Sequence, residues 1–368
     1  MSKQDTLDLE QGHTLLLKGP AWVRAKKGDA KCLGAPIQSD GWTIIEEPRQ
    51  EPIYAADHSL LEIRRGPGSS WSVIRESTVP AAWNEAAQIL QQQRGVSVII
   101  GEVDSGKSSL CTFLTNKCLE NAAKVGVVDA DVGQADIGPP TTISSSVVQA
   151  PIIGLHKVTA NLSFFIGDTS PSSVSDKLVN LATRLKKSVM DTTDIGIVNT
   201  DGWLAEFNAI RHKQLLLDEI RPDLVMLLGR FEETINPLLD AGKFTSLTLP
   251  SSAFARVRSK EERKKAREAG YRRFLQGSYK IKVSQGATRM RMFDKLEQTV
   301  FPESHRLRSF VAGLLNDNEE LLGIGRISGI DGGKVLVETR TNEPPAILEI
   351  GNIALSSKYD EVGYGTLH

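Results

Sequence analysis

One glycine-rich loop constrains the fold of this chain more than any other feature. Residues 101–108 read Gly-Glu-Val-Asp-Ser-Gly-Lys-Ser, match the pattern G-x-x-x-x-G-K-[ST], and lie between the apolar run 96–100 and an amphipathic helical pattern. In such a loop several backbone N–H groups and a helix N-terminus face a phosphate, the lysine neutralises β- and γ-phosphate oxygens, and the serine binds Mg²⁺. The predicted nucleotide-binding residues are Gly101, Glu102, Val103, Asp104, Ser105, Gly106, Lys107, Ser108 and Ser109.

After residue 80, short apolar runs alternate with helical patterns. The apolar runs cover residues 96–100, 125–129, 162–166, 194–199, 224–228 and 244–249. The helical patterns cover residues 107–123, 174–190, 204–220 and 235–241. This alternation predicts an α/β fold of the P-loop NTPase class, with a doubly wound, mostly parallel sheet and helices on both faces.

The regions on either side of this core have strand patterns. Short alternating runs between residues 13 and 71 are separated by glycine-containing turns, which is typical of a small β-sandwich, and strand patterns return after residue 276. We therefore expect an N-terminal β domain at 1–80, a P-loop domain at 81–275 with an arginine-rich lid at 256–273, and a C-terminal β domain at 276–368.

The composition is that of a folded globular chain. Of its 368 residues 40% are hydrophobic and 24% are charged, and the formal net charge is −1. Its longest apolar runs are far shorter than the roughly 20 residues that span a membrane, and the N-terminal residues lack the apolar core of a secretory signal. These features predict a cytoplasmic protein. The cysteines and histidines lack the paired spacing of a structural zinc site.

A group of acidic residues follows the second apolar run. Asp129, Asp131 and Asp136 lie with Gln134 in the sequence Asp-Ala-Asp-Val-Gly-Gln-Ala-Asp. At the carboxyl end of a parallel strand beside a phosphate loop, such carboxylates lie where Mg²⁺ and an acceptor hydroxyl meet. Asp129 and Asp131 are candidate Mg²⁺ ligands with Ser108, and one of them can accept the hydroxyl proton. Asp136 has an alternative role as a cap on the following Gly-Pro-Pro turn.

A basic segment near residue 260 is the strongest local charge feature. It opens with Ser259-Lys-Glu-Glu262, a capping box that predicts a helix start near Lys260 and places Arg263 and Arg267 one turn apart on one face. Two guanidinium groups on one face can bind phosphate oxygens, and a solvated charged helix is the alternative. The nine basic residues between 256 and 273 are Arg256, Arg258, Lys260, Arg263, Lys264, Lys265, Arg267, Arg272 and Arg273, against three glutamates.

A tryptophan follows the fourth apolar run in Thr200-Asp-Gly202-Trp203. This position at the carboxyl edge of the sheet lets an aromatic ring stack on an unpaired base, and an ordinary core tryptophan is the alternative. No Asn-Lys-x-Asp motif that reads guanine follows a strand in this sequence, which disfavours a regulatory GTPase.

The order of these motifs resembles the polynucleotide 5′-hydroxyl kinase family. That order is phosphate loop, Asp-x-Asp-x-Gly-Gln, Gly-Asp-Thr-Ser-Pro at 167–171, Thr-x-Gly-Trp, and Arg-x-x-x-Arg. The family includes the kinase subunit of mRNA 3′-end cleavage factor, rRNA-processing kinases and shorter archaeal and bacterial enzymes. One departure is Glu102, where the family commonly has proline.

The resemblance implies a role for each matching residue. Lys107 and Ser108 would bind donor phosphate and Mg²⁺, and Asp131 with Gln134 would act at Mg²⁺ and the attacking 5′-hydroxyl. Residues that would contact the acceptor strand are Thr200, Gly202 and Trp203. Arg263 and Arg267 would belong to a lid over the transferring phosphoryl group.

These observations predict a Mg²⁺-dependent kinase that transfers the γ-phosphoryl group of ATP or GTP to the 5′-hydroxyl of RNA, with DNA as a further acceptor. Its partner would be a single-stranded or end-exposed nucleic acid. Two alternatives stay open: an ATP-binding scaffold of an RNA-processing complex that has lost transfer, and a P-loop ATPase stimulated by a protein partner.

Overall fold

The computed structural model describes residues 3–230, 244–284, 288–292 and 307–364 of the chain. The helix predicted at 235–241 lies outside these residues. Among the described helices, none is long and apolar enough to cross a bilayer.

Nine strands near the N-terminus form two antiparallel sheets that face each other. The strands are β1 (Lys3–Leu9), β2 (Thr14–Lys18), β3 (Ala21–Lys27), β4 (Ala30–Cys32), β5 (Ala35–Pro36), β6 (Thr43–Ile45), β7 (Gln50–Ala55), β8 (Ser59–Arg65) and β9 (Ser70–Ile74). One sheet has the order β1-β8-β3-β6 and the other β5-β4-β7-β2-β9. Alternate residues point inward, so Ile63 of one sheet and Leu15 of the other share one core. The predicted N-terminal β structure is confirmed.

A seven-stranded sheet forms the centre of the molecule. Its elements are α1 (Ala81–Gln93), β10 (Gly95–Gly101), α2 (Lys107–Glu120), β11 (Val125–Ala130), β12 (Thr142–Val148), β13 (Leu162–Phe165), α3 (Ser175–Met190), β14 (Ile195–Thr200), α4 (Phe207–Ile220), β15 (Leu224–Leu228) and β16 (Thr245–Leu249), with single 3₁₀ turns at Leu155–Lys157 and Pro171–Ser173. The order is β13-β12-β11-β14-β10-β15-β16. The pairs β11–β14, β14–β10, β10–β15 and β15–β16 are parallel, whereas β12 pairs antiparallel with both of its neighbours.

Successive residues of the central strands pack on opposite faces of this sheet. Ile99 belongs to the same core as Leu90 of α1 and Leu114 of α2. Its neighbour Val98 belongs to the core formed with Leu185 of α3 and Leu217 of α4. Because strands buried on both faces require apolar side chains at nearly every position, the continuous apolar runs correctly predicted a doubly wound sheet. Helix α4 begins three residues later than predicted.

A further sheet, mostly antiparallel, occupies the C-terminal part of the described chain. After α5 (Lys260–Leu275) come β17 (Tyr279–Ser284), β18 (Arg289–Met292), β19 (Phe310–Leu315), β20 (Leu321–Asp331), β21 (Lys334–Thr339), β22 (Ile347–Leu355) and β23 (Glu361–Tyr364). The order is β17-β21-β20-β19-β22-β18; β23 also pairs with β22, and the single parallel pair in this order joins β18 to β22.

Helix α5 is anchored at its C-terminal end. Tyr271 and Leu275 are buried with Phe165 of the central sheet and Val311 of the C-terminal sheet. The basic N-terminal half of α5 is thereby held beside the central domain. The division of the chain into three domains at residues 80 and 275 stays a prediction.

Candidate active site

The phosphate loop adopts the strand–loop–helix conformation that its motif predicts. Gly101 ends β10, and a Cβ added there would lie 2.6 Å from Ser105 Oγ and 2.7 Å from the Leu228 carbonyl oxygen. Gly106 has φ +100°, in the region that favours glycine, and α2 begins at the next residue. The close backbone approach at the first glycine and the left-handed turn at the second explain why the loop needs both.

Lys107 lies along the loop. Its Nζ donates hydrogen bonds to the carbonyl oxygens of Gly101 at 2.9 Å and Glu102 at 2.7 Å, and the residue is 5% exposed. Burial lowers the pKa of Lys107, while the nearby Asp131 carboxylate opposes that change. The Lys107 ammonium group therefore lies at the phosphate loop, close enough to the Asp131 carboxylate to interact with it electrostatically.

Asp129 and Asp131 have different environments. Asp129 is 1% exposed, and its carboxylate accepts hydrogen bonds from the backbone N–H groups of Asp136 at 2.7 Å and Ile137 at 3.1 Å. Asn199 Nδ2 donates a third bond, at 3.0 Å. Asp129 therefore fixes the loop that follows β11. Burial, together with neighbouring Asp136 and Asp131, raises its pKa to about 7.

Asp131 and Gln134, by contrast, line a cavity of about 1180 Å³ beside the phosphate loop. Asp131 Oδ1 accepts a hydrogen bond from the Gln134 backbone N–H at 3.1 Å. Burial raises the pKa of Asp131 to about 6, with Lys107 opposing the shift. Of the two acidic residues, Asp131 is the one with access to a ligand in this cavity.

The donors beside Ser108 suit Mg²⁺, which prefers hard oxygen ligands and binds through one or two carboxylates together with substrate phosphates. Asn199 Nδ2 lies 3.5 Å from Ser108 Oγ, and Asn199 Oδ1 is a buried oxygen with no hydrogen-bond partner. The hydroxyl of Ser108 and the carboxylate of Asp131 would hold the ion. The sequence predictions did not include Asn199, whose bridging position depends on the adjacency of β11 and β14.

Residues 200–203, which we call the clasp, lie against the phosphate loop. Thr200 is fully buried and its Oγ1 donates to the Ile99 carbonyl oxygen at 2.8 Å. A Cβ added to Gly202 would lie 2.5 Å from the backbone nitrogen of Val103. Gly202 and Trp203 line the cavity, whereas Thr200 is not among its lining residues. Trp203 is half-buried, and its role in base stacking stays a prediction.

Helix α5 begins where the capping box predicts. Ser259 Oγ accepts from the Glu262 backbone N–H, and the Glu262 side chain accepts from the Ser259 backbone N–H, which completes the capping box. Arg263 Nη1 lies 3.1 Å from Asp104 Oδ2 of the phosphate loop. Arg258, just before the helix, binds the same carboxylate through Nε at 2.8 Å and Nη2 at 2.6 Å. The structure thus brings Arg263 to the phosphate loop and adds Arg258, which the sequence predictions did not single out.

Arg267 points along the same helix to a different partner. Its Nε and Nη2 donate to Glu361 at 2.6 and 2.7 Å, at the start of β23. Both Arg263 and Arg267 line the cavity, but they do not converge on one group in this conformation. The sequence places Arg263 and Arg267 one turn apart. In the fold, Arg263 pairs with the phosphate loop and Arg267 pairs with the C-terminal sheet.

The N-terminal β domain contributes a wall of the cavity. Arg49 Nη2 lies 2.6 Å from Asp136 Oδ1. Asp136 is therefore ion-paired as well as donating its backbone N–H to Asp129. Glu51 and His156 line the same region, and burial lowers the pKa of His156 to about 3, which keeps its imidazole neutral. Sequence reasoning could not find this pairing because 87 residues separate its partners.

Comparison with a family model matches residues 101–277 to the P-loop region of the mRNA cleavage and polyadenylation factor CLP1. The chain is 26% identical to a polyribonucleotide 5′-hydroxyl-kinase of Pyrococcus furiosus over 72% of this chain and 89% of that protein. It is 32% identical to a polyribonucleotide 5′-hydroxyl-kinase of Methanocaldococcus jannaschii over 49% of this chain and 50% of that protein. The second alignment therefore spans about half the length of each protein.

A solved Clp1p structure, determined in complex with Pcf11p, has the same fold. Its TM-score is 0.75 at 15% identity, with 96% of this chain and 98% of that chain covered. The shared fold includes the flanking β structure as well as the central sheet. Residues 101–277 of this chain are therefore similar in sequence to the CLP1 P-loop family, and nearly the whole chain shares the fold of the solved Clp1p structure.

Proposed function

We propose that this protein is a polynucleotide kinase that transfers the γ-phosphoryl group of ATP or GTP to the 5′-hydroxyl of RNA, with DNA as a further acceptor. One observation carries the proposal: a single cavity is lined by the phosphate loop, Asp131, Gln134, Trp203 and Arg263. A donor site, a candidate base, an aromatic platform and a cation thus surround one space. The relatives named as polyribonucleotide 5′-hydroxyl-kinases support the same acceptor chemistry.

In the proposed reaction the oxygen of the acceptor 5′-hydroxyl attacks the γ-phosphorus. Its proton passes to Asp131, whose pKa of about 6 leaves the carboxylate ionised at neutral pH. The bond from the γ-phosphorus to the bridging oxygen breaks, and the nucleoside diphosphate leaves. Mg²⁺, held by Ser108 and Asp131, would supply charge neutralisation at the phosphates.

The remaining groups orient the reactants. Lys107 binds β- and γ-phosphate oxygens, and Gln134 contacts the acceptor hydroxyl. Arg263 neutralises charge on the transferring phosphoryl group, either after breaking its ion pair with Asp104 or while keeping it. Arg267 extends the positively charged face of the same helix. Most of the rate gain in phosphoryl transfer comes from such positioning and electrostatic stabilisation.

Trp203 gives the acceptor site its selectivity for an unpaired end. A half-buried indole at the cavity wall offers a face on which a base can stack whatever its identity. A single-stranded or end-exposed nucleic acid is therefore the proposed partner, and the predicted cytoplasmic location belongs to the same proposal.

The experiment that tests this function incubates the protein with Mg²⁺, γ-labelled ATP or GTP, and matched RNA and DNA oligonucleotides. We expect label at the 5′ end of 5′-hydroxyl oligonucleotides and none on the same oligonucleotides carrying a 5′-phosphate. Lys107→Ala, which removes the phosphate-binding ammonium group, serves as the inactive control. Nucleotide binding without transfer would favour the scaffold, and hydrolysis indifferent to oligonucleotides would favour the ATPase.

A further inference from the structure

A buried ion pair joins the clasp to helix α4. The side chains of Asp201 and Lys213 are 4% and 0% exposed. Lys213, on α4, donates from Nζ to Asp201 Oδ2 at 2.7 Å and to the Asp201 carbonyl oxygen at 3.1 Å. Burying two charges costs several kcal/mol per ion unless good geometry and further hydrogen bonds offset the desolvation. An ion pair kept at the rim of a ligand cavity therefore calls for a role beyond packing.

The Asp201 carboxylate holds the clasp tryptophan. Its Oδ1 accepts a hydrogen bond from the Trp203 backbone N–H at 2.9 Å. On the other side His212 Nε2 lies 3.4 Å from Oδ2, and His212 Nδ1 is 2.8 Å from Ser175 Oγ. The His212 ring also packs 6.0 Å from the Trp203 ring, centroid to centroid. Lys213 of α4 thus holds the carboxylate with His212 beside it, and the carboxylate holds the backbone of Trp203.

The same pair lies within electrostatic reach of the reacting groups. Burial is the main cause that lowers the pKa of Lys107; the charge of Lys213 adds to this effect and the charge of Asp201 opposes it. The clasp also touches the phosphate loop, because Gly202 packs against the Val103 backbone. A shift of Asp201 would therefore move the acceptor side of the cavity relative to the donor side.

We propose that Lys213, acting through Asp201, positions Trp203 for the first nucleotide of the acceptor strand. Lys213 and Asp201 are positioning residues in this inference, which rests on the proposed kinase function. Lys213 is fully buried and does not line the cavity. Its effect should therefore fall on the acceptor much more than on the donor.

The test compares Lys213→Met, the neutral pair Asp201→Asn/Lys213→Met, and Lys187→Met, which changes an exposed lysine of α3. For each we measure kcat, the KM for donor, the KM for a 5′-hydroxyl RNA oligonucleotide, and direct binding of that labelled oligonucleotide. We expect the acceptor KM to rise about tenfold or more in the first two variants, since small misplacements of a bound group have effects of this size. Donor KM should be unchanged in the neutral pair, which removes both opposing charges, and Lys187→Met should match the wild type.

The neutral pair separates positioning from folding. Lys213→Met alone leaves Asp201 as an unpaired buried charge and so also lowers stability, whereas the double variant removes both charges. If Lys213 acts through Trp203, adding Lys213→Met to Trp203→Ala should raise the acceptor KM no further. Full additivity with Trp203→Ala, or equal changes in donor and acceptor KM, would overturn the inference.

A direct measurement of oligonucleotide binding distinguishes failure of the positioning inference from failure of the proposed kinase function. A wild-type protein that binds the oligonucleotide but transfers no phosphoryl group contradicts the kinase function, and weaker binding by the neutral pair would then still support the positioning role. A wild type that binds no oligonucleotide contradicts both.

Discussion

Arg258 binds Asp104 of the phosphate loop with its side chain and its backbone together. Nε and Nη2 lie 2.8 and 2.6 Å from Oδ1, and the Arg258 backbone N–H donates to Oδ2 at 2.8 Å. Arg263 reaches the same Oδ2 at 3.1 Å, and the Asp104 side chain is 2% exposed. One carboxylate of the phosphate loop therefore holds the start of the lid.

Replacing this carboxylate should loosen the lid. Asp104→Asn keeps the size of the side chain but removes the charge that two guanidinium groups share, and charge-assisted hydrogen bonds contribute about 1.5–3 kcal/mol each. We expect transfer to fall about tenfold and trypsin to cleave the basic segment faster. Asp191→Asn, at an exposed position after α3, is the control. Increased transfer would instead mean that Asp104 restrains Arg263.

The two acidic residues after β11 should differ in their effects. Asp131→Asn removes the candidate base and Mg²⁺ ligand, so kcat should fall by about 10²-fold or more with donor binding largely kept. Asp129→Asn should act mainly by disturbing the loop that its carboxylate anchors. We therefore expect a lower thermal midpoint for Asp129→Asn and little change for Asp131→Asn. A mild kinetic effect of Asp131→Asn beside a severe one of Asp129→Asn would reverse these roles.

Replacing lid arginines with lysine tests whether transfer needs the planar guanidinium group or only its positive charge. Arg263→Lys keeps the charge but loses the bidentate geometry, so most of kcat should be lost with donor affinity little changed. Arg267→Lys should lose activity too, and because Arg267 pairs with Glu361 it should also change stability. Lys264→Ala on the same helix is the control. Equal changes in acceptor KM alone across the three variants would indicate a generic basic surface.

Stacking on the clasp is tested at Trp203. Base–aromatic stacking is worth about 1–3 kcal/mol per base, so Trp203→Ala should raise the acceptor KM about tenfold while Trp203→Phe keeps most of the affinity. Trp71→Ala, at a ring 36% exposed on β9, is the matched control. Loss of folding stability with unchanged acceptor KM would identify Trp203 as a packing residue.

The buried carboxyl group of Glu51 should make the free energy of unfolding depend on pH. Burial raises its pKa from 4.5 to about 7, with Arg49 opposing the shift, so the folded protein binds its proton more tightly than the unfolded chain. The free energy of unfolding should therefore fall as pH rises from about 4.5 to about 7, by up to about 3 kcal/mol. Glu51→Gln should raise the thermal midpoint at pH 8 and change it little at pH 4.5. Glu85→Gln, exposed on α1, should shift neither.

Local patterns in the sequence predicted the elements that depend on local physics. The phosphate loop was recognisable because its glycines and Lys107 occupy adjacent positions, and the Ser259 capping box correctly placed the start of α5. Strand β12, Thr142–Val148, was not predicted, because its polar run Ser-Ser-Ser has no apolar alternation. Two of its serine hydroxyl groups are hydrogen-bonded inside the fold, Ser144 Oγ with Ser163 Oγ and Ser146 Oγ with the Thr159 carbonyl oxygen.

The features of the candidate site also separate into those that local sequence predicts and those that only the tertiary structure decides. The sequence alone determined the phosphate loop, the alternation of central strands and helices apart from β12, and the residue types of the clasp and lid, since each is coded by neighbours within a few positions. Tertiary structure decided that Asp131 and not Asp129 faces the cavity, and that Asp104 receives Arg258 and Arg263 from 154 and 159 residues away. It also decided that Lys213 pairs with Asp201, whose carboxylate holds the Trp203 backbone. These pairings depend on which strand ends and helices meet at one edge of the sheet, and that arrangement is set by the packing of the whole core rather than by any local pattern.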